Sequence, residues 1–160
     1  MELREYQNEA VWSAYAQLLV GKNPVLQLAT GTGKSLIIAE LAKLYKNDGK
    51  TVWILTHVQQ LVKQNARTYL TYTGNEAGIV CAGLNRKDTT EPVIFGTIQS
   101  MMGVLAEMTL PDLIIIDEAH RVPHDFGEDS LYSRILKKYP KAGRVAMTAT
   151  PWRMDNGIIY

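Results

Sequence analysis

The chain has 160 residues, 46% hydrophobic and 21% charged, with 17 basic and 16 acidic side chains and a net charge of +1. That is enough for one domain with a real core. The near-even charge balance excludes a strongly basic coat, so any nucleic acid must be held by a local groove or by parts outside this sequence.

In chain order, residues 5–20 carry apolar side chains at helical spacing (Val11, Tyr15, Leu18, Leu19) and stop at Gly21. A short strand follows Pro24 at 25–28, then a helix at 35–46 with Leu36, Ile37, Leu41 and Leu44 on one side. Residues 49–56 read as a strand, 57–69 as a helix with Val58, Leu61, Val62 and Ala66 in register, and 77–82 as a strand. A polar loop is expected at 83–92, a strand at 92–97 and a helix at 98–107. The most apolar strand, 112–117, should lie centrally with both faces buried. A helix at 131–139 and a strand at 143–150 complete the alternation. Strands alternating with helices predict an α/β fold of parallel βαβ units, whose ligands bind outside the carboxyl ends of the strands.

The single cysteine, Cys81, excludes an internal disulfide and reads as a buried strand thiol. The three histidines and one cysteine show no metal-ligand spacing, and no apolar run is long enough to span a membrane. The start, MELREYQNEAV, lacks a signal-peptide core, which makes a cytoplasmic location the default expectation.

Residues 25–41, VLQLATGTGKSLIIAEL, lay out a strand, a glycine-broken loop and a helix. The phosphate-loop pattern G-x-x-x-x-G-K-[ST] is met at Gly33-Lys34-Ser35, but its first glycine position holds Leu28. Gly31 supplies the second flexible point. Together the loop residues Thr30, Gly31, Thr32 and Gly33 can turn backbone N–H groups onto a phosphate at a helix N-terminus. Lys34 would hold the β- and γ-phosphates and Ser35 would coordinate Mg²⁺. In LIIIDEAHR, two carboxylates end an apolar strand, where charge is expensive without a task. Asp117 suits the Mg²⁺ shell and Glu118 suits polarising an attacking water.

With these residues in place, the sequence resembles the superfamily-two DEAH-box helicases and translocases. D-E-A-H at 117–120 and T-A-T-P at 148–151 match two signature motifs in order. REYQNEAV at 4–11 looks like the adenine-recognition segment, with Arg4 and Gln7 in the matching positions. LTHVQQLVKQ at 55–64 and FGTIQSM at 95–101 are similar to two strand-contacting segments. The runs LREYQ, AGLNRKD and FGTIQS also look like the RadD-type bacterial DNA-repair ATPases, related phage helicases and restriction motor subunits.

The resemblance implies the first of two RecA-like domains, a P-loop NTPase with a mostly parallel sheet and helices on both faces, ATP and Mg²⁺ as cofactors, and DNA rather than RNA as partner. His120, Thr148, Ala149 and Thr150 would couple the ATP state to the grip on nucleic acid. His57, Gln60, Gly83, Thr97 and Gln99 would lie near one bound strand, while His57 has an equal alternative as a helix cap. The chain stops at Tyr160, before any second domain or arginine finger, so a fragment of a longer protein with nearly no activity alone is expected; a nucleotide-binding remnant is the alternative. An ATP-switched nucleic-acid-binding module is the competing function. A small-molecule kinase is disfavoured, because it needs neither DEAH nor TATP. Among bystanders, Trp12, Trp53 and Trp152 read as packing residues, Lys137, Lys138 and Lys141 as helix-end charges, and His124 as solvated.

Overall fold

A computed structural model describes residues 1–119 and 130–149 in full, with the backbone of 152–153 and 157–158. The elements are α1 (Glu5–Leu19), β1 (Val25–Gln27), α2 (Lys34–Asn47), β2 (Val52–Thr56), α3 (Gln59–Thr73), β3 (Gly78–Cys81), β4 (Arg86–Lys87), β5 (Val93–Thr97), α4 (Ile98–Met102), β6 (Leu113–Asp117), α5 (Leu131–Lys138) and β7 (Gly143–Thr148). A separate antiparallel ribbon pairs β8 (Trp152–Arg153) with β9 (Gly157–Ile158). The expectations for His120, Thr150, His124 and the Trp152 side chain lie outside the described residues.

Seven strands form one sheet in the order β1-β7-β6-β2-β5-β3-β4, parallel except for β4. Strands β2, β5 and β6 are buried along their whole length, as continuous Val, Ile and Leu runs require when both faces are covered. Period-two alternation divides the core. Ile54, Phe95, Ile115 and Val145 pack towards Val11, Ile37, Leu41 and Tyr69 of α1, α2 and α3. Trp53, Leu55, Ile94 and Ile114 pack towards Met101 and Ile135 of α4 and α5. Each fully buried aliphatic or aromatic side chain contributes about 1.5–3 kcal/mol. Cys81 is buried in this core, as expected of a strand thiol.

Several expected boundaries move, each for a local reason. α3 begins at Gln59, with the extended Val58 at its cap position, so His57 does not cap it. It runs on to Thr73, where Gly74 at φ +73° supplies the left-handed stop. α4 ends at Met102, before Gly103, and a 3₁₀ turn at Leu105–Glu107 takes the place of its expected last turns. The polar loop after β3 contains a short strand: Asn85 at φ +53° reverses the chain, and Arg86 and Lys87 pair back on Cys81 and Val80. The buried face of α1 is Gln7, Val11, Ala14 and Leu18, which leaves Leu19 exposed. Trp53 is fully buried, whereas Trp12 packs edge-on against Tyr15 but stays half exposed. Lys137 and Lys138 occupy the last turn of α5, as their charge favours.

Strand order positions the site. The carboxyl ends of β1, β7 and β6 lie side by side and carry the phosphate loop, Thr148 and Asp117-Glu118. The ends of β2, β5 and β3 continue the same edge with His57, Thr97 and Gly83.

Candidate nucleotide-binding site

The loop between β1 and α2 turns through Gly31 at φ +82° and Gly33 at φ +78°, two left-handed residues alternating along ATGTGKS. Gly33 is the N-cap of α2, so the helix starts at Lys34 and its positive end faces the loop. Leu28 stands where the usual motif has glycine, and the structure shows why it fits. Its N–H extends the strand ladder to the Thr148 carbonyl at 3.0 Å, and its side chain packs on the core. The left-handed turns fall later, at the two glycines.

The loop is buttressed from α1. Gln7, only 2% exposed, donates from Nε2 to the Thr32 carbonyl at 2.9 Å and accepts the Arg4 N–H on Oε1 at 2.8 Å. The Tyr6 hydroxyl donates to the same Thr32 carbonyl at 2.7 Å. Thr32 Oγ1 donates to the Ala29 carbonyl at 2.7 Å. Gln7 also closes over Gly33, where a Cβ would stand 2.5 Å from its Nε2. The structure thus sets Gln7 under the phosphate loop, a contact that its sequence position did not announce.

Across the edge, β6 delivers Asp117 and Glu118. Lys34 Nζ lies 3.7 Å from Glu118 Oε1, an ion pair at the mouth of the loop. Glu118 has φ +58°, a left-handed conformation rare for a residue with a Cβ, and its N–H donates to Asp117 Oδ1 at 3.0 Å. Asp117 is 4% exposed. Burial pushes its carboxyl above the ordinary carboxylate value; the hydrogen bond from Asn65 opposes this, the Glu118 charge adds to it, and Lys34 and the Glu118 N–H oppose it.

Ser35 and Asp117 are joined through a residue that sequence reasoning missed. Ser35 Oγ donates to Asn65 Oδ1 at 2.7 Å, and Asn65 Nδ2 donates to Asp117 Oδ2 at 3.0 Å. Asn65 is 1% exposed, on the inner face of α3 with Val62 and Tyr69. A signal existed: its spacing from Val62 and Tyr69 puts a polar amide on the apolar stripe.

Thr148 is fully buried at the end of β7 and holds Leu28 through its carbonyl, with Ala149 next to it. On the far half of the edge, Thr97 is largely buried and its hydroxyl donates to Ser100 Oγ at 2.9 Å. Ser100 Oγ in turn accepts the Ala82 N–H at 2.9 Å, tying β5 to the turn that holds Gly83. A Cβ on Gly83 would overlap the Gln59 side chain, so this turn sits directly against the start of α3. Gln60 and Gln99 are exposed, and the His57 ring lies 3.4 Å from the Tyr132 hydroxyl. Among the described residues no cluster of histidine, cysteine, aspartate and glutamate forms a separate metal site, and no helix is long and apolar enough to cross a membrane.

A phosphate loop, an acidic strand end one strand beyond β7, and a mostly parallel sheet define a helicase-type nucleotide-binding domain. The family model described as "Type III restriction enzyme, res subunit" matches residues 1–153, and the chain belongs to that family. It is 32% identical over 131 residues to a 51.5 kDa protein of a Lactococcus phage, covering 82% of this chain and 25% of that one. It is 30% identical over 162 residues to the ATP-dependent DNA helicase RecG of Haemophilus influenzae, covering 88% and 22%. The type ISP restriction-modification enzyme LlaGI, solved with a DNA substrate mimic, superposes with a TM-score of 0.72 at 23% identity, covering 98% of this chain and 19% of that one. The fold is therefore RecA-like, as the resemblance implied, and the chain spans a quarter or less of the curated relatives it matches.

Proposed function

We propose that this chain is the first RecA-like domain of an ATP-hydrolysing motor that moves on or remodels DNA, and that a second RecA-like domain completes its cleft. The observation that carries this reading is the convergence of Lys34-Ser35 and Asp117-Glu118: Lys34 meets Glu118, and Ser35 and Asp117 share one buried amide. A passive nucleotide switch needs no carboxylate to polarise a water, whereas Glu118 stands beside Lys34 at the mouth of the loop.

In this reading Gly31, Thr32 and Gly33 cradle the phosphates through their backbone, with Thr30 at the entry, and Lys34 takes the β- and γ-phosphates. The adenine is assigned to the Arg4–Gln7 segment by the resemblance; the Gln7 amide, bonded to the Thr32 carbonyl and the Arg4 N–H, links that segment to the phosphate loop. Ser35 and Asp117 fit Mg²⁺, because a hydroxyl and a buried carboxylate are hard oxygen donors brought to one place. Bound there, Mg²⁺ would offset phosphate charge. Glu118 accepts a proton from, or orients, the attacking water once the nucleotide draws Lys34 away. Thr148 and Ala149, with His120 and Thr150, transmit the nucleotide state. His57, Gln60, Gly83, Thr97 and Gln99 lie towards one DNA strand; the exposed Gln60 and Gln99 are the side chains best able to reach it.

DNA is preferred to RNA on the DNA helicase and the restriction enzyme solved with a DNA substrate mimic, which stand among the similar proteins beside one RNA helicase of Mus musculus. The family description also supports a motor subunit of a restriction system. The cytoplasm is the location proposed for it. The domain alone should hydrolyse ATP very slowly, since an arginine finger contributes about 10³–10⁵ in rate. Glu118→Gln in the full-length protein tests the proposal: it should keep ATP bound and stop turnover. Turnover at the unsubstituted rate would remove Glu118 from catalysis and the motor reading with it.

A further inference from the structure

The hydrogen bonds of Asn65 run in one direction only. The amide turns Nδ2, which can only donate, to Asp117 Oδ2 at 3.0 Å. That leaves Oδ1 facing Ser35, and a carbonyl oxygen can only accept, so the Ser35 hydroxyl must donate, at 2.7 Å. The Ser35 proton is thereby committed to Asn65, and both oxygen lone pairs remain for a cation. Asp117 meanwhile has one oxygen on Asn65 and the other on the Glu118 N–H, which fixes its carboxylate plane. The amide is 1% exposed, so water does not compete for these bonds. The bridge spans three elements: the start of α2, the middle of α3 and the end of β6.

We infer that Asn65 is a positioning residue of the cation site, setting the proton direction of Ser35 and the orientation of Asp117 so that both present oxygen lone pairs to Mg²⁺. This rests on the reading of Ser35 and Asp117 as the cation's ligands. Groups that orient metal ligands in this way typically carry about 10–100-fold in metal affinity. The device also makes α3 part of the nucleotide site, although α3 has no residue in the phosphate loop or the acid pair.

The test is equilibrium binding of a fluorescent ADP analogue to the unsubstituted protein, Asn65→Ala and Asn65→Leu, each in Mg²⁺ and in EDTA. Leucine keeps the volume of the buried site while removing both hydrogen bonds. In EDTA the variants should match the unsubstituted protein, because the glycine loop and Lys34 are intact. The tightening produced by Mg²⁺ should shrink by about tenfold or more. Tightening unchanged in both variants would overturn the assignment, even if both melt earlier, since a purely structural asparagine lowers stability alike with and without Mg²⁺. An unsubstituted protein that binds the nucleotide with no Mg²⁺ dependence would overturn both this inference and the proposed cation site. Should neither variant fold, the side-chain amide resonance of Asn65 in the unsubstituted protein decides: it should shift with nucleotide and Mg²⁺ and not with nucleotide in EDTA, and a resonance that Mg²⁺ leaves in place would sink the inference.

Discussion

Gly31 and Gly33 both sit at left-handed φ, +82° and +78°, so alanine at either pays the same backbone penalty. Their surroundings differ. A Cβ on Gly31 meets nothing within 4 Å, while one on Gly33 stands 2.5 Å from Gln7 Nε2. The left-handed conformation costs a residue with a Cβ about 1–2 kcal/mol, and the stiffer unfolded chain returns about half a kcal/mol of it. Gly31→Ala should therefore destabilise by about 1 kcal/mol. Gly33→Ala must also push Gln7 from the Thr32 carbonyl, leaving a buried amide unpaired for about 1–2 kcal/mol more, so its total is about 2–3 kcal/mol. Urea unfolding of both variants measures the difference. Repeating Gly33→Ala in a Gln7→Ala background closes the cycle: with no amide to strike, its cost should fall to that of Gly31→Ala. Equal costs for the two glycines, or an undiminished cost in the Gln7→Ala background, would refute the claim that Gln7 braces the loop.

Three further outcomes follow from the same geometry. Glu118→Gly should be more stable than Glu118→Ala by about 1 kcal/mol in urea unfolding, because both remove the carboxylate and only glycine is at ease at φ +58°. Asp117 binds its proton more tightly folded than unfolded, so ionising it opposes folding: stability should fall as pH rises from the ordinary value of 3.8 through the raised one, and Asp117→Asn should lack that component in paired denaturation series. Gly96→Ala should destabilise by several kcal/mol, because its Cβ would stand 2.5 Å from Met101 Sδ and 2.7 Å from the Val80 carbonyl in a closed core; a melting temperature unchanged by the substitution would count against that packing.

The alternation of strands and helices, the buried run at Leu113–Asp117 and the phosphate loop were legible because each rests on local pattern: period, glycine placement, and apolar length. Strand order was not. Nothing in residues 143–148 says that β7 inserts between β1 and β6, yet that insertion places Thr148 against the loop. Asn65 was passed over for a related reason. Polar residues in a helix are read as its solvent face, and only the burial of Val62 and Tyr69 at matching spacing shows that this amide points inward. On α1 Val11 and Leu18 are buried and Tyr15 packs against the core, but the apolar Leu19 faces outward while the polar Gln7 occupies one of the buried positions. Gln7 and Asn65 are both buried amides that serve the loop and the acid pair, and chain-local periodicity cannot register a partner 25 or 52 residues away.

The central claim is that Lys34, Ser35, Asp117 and Glu118 serve a motor driven along DNA. Its most direct test is ATP hydrolysis by the full-length protein at one fixed salt concentration, without nucleic acid and then with single-stranded, duplex and branched DNA and with RNA. Turnover stimulated by a DNA form, and abolished by Glu118→Gln, is the predicted result. Hydrolysis indifferent to every nucleic acid would leave the phosphate site standing and contradict the step from ATPase to DNA motor.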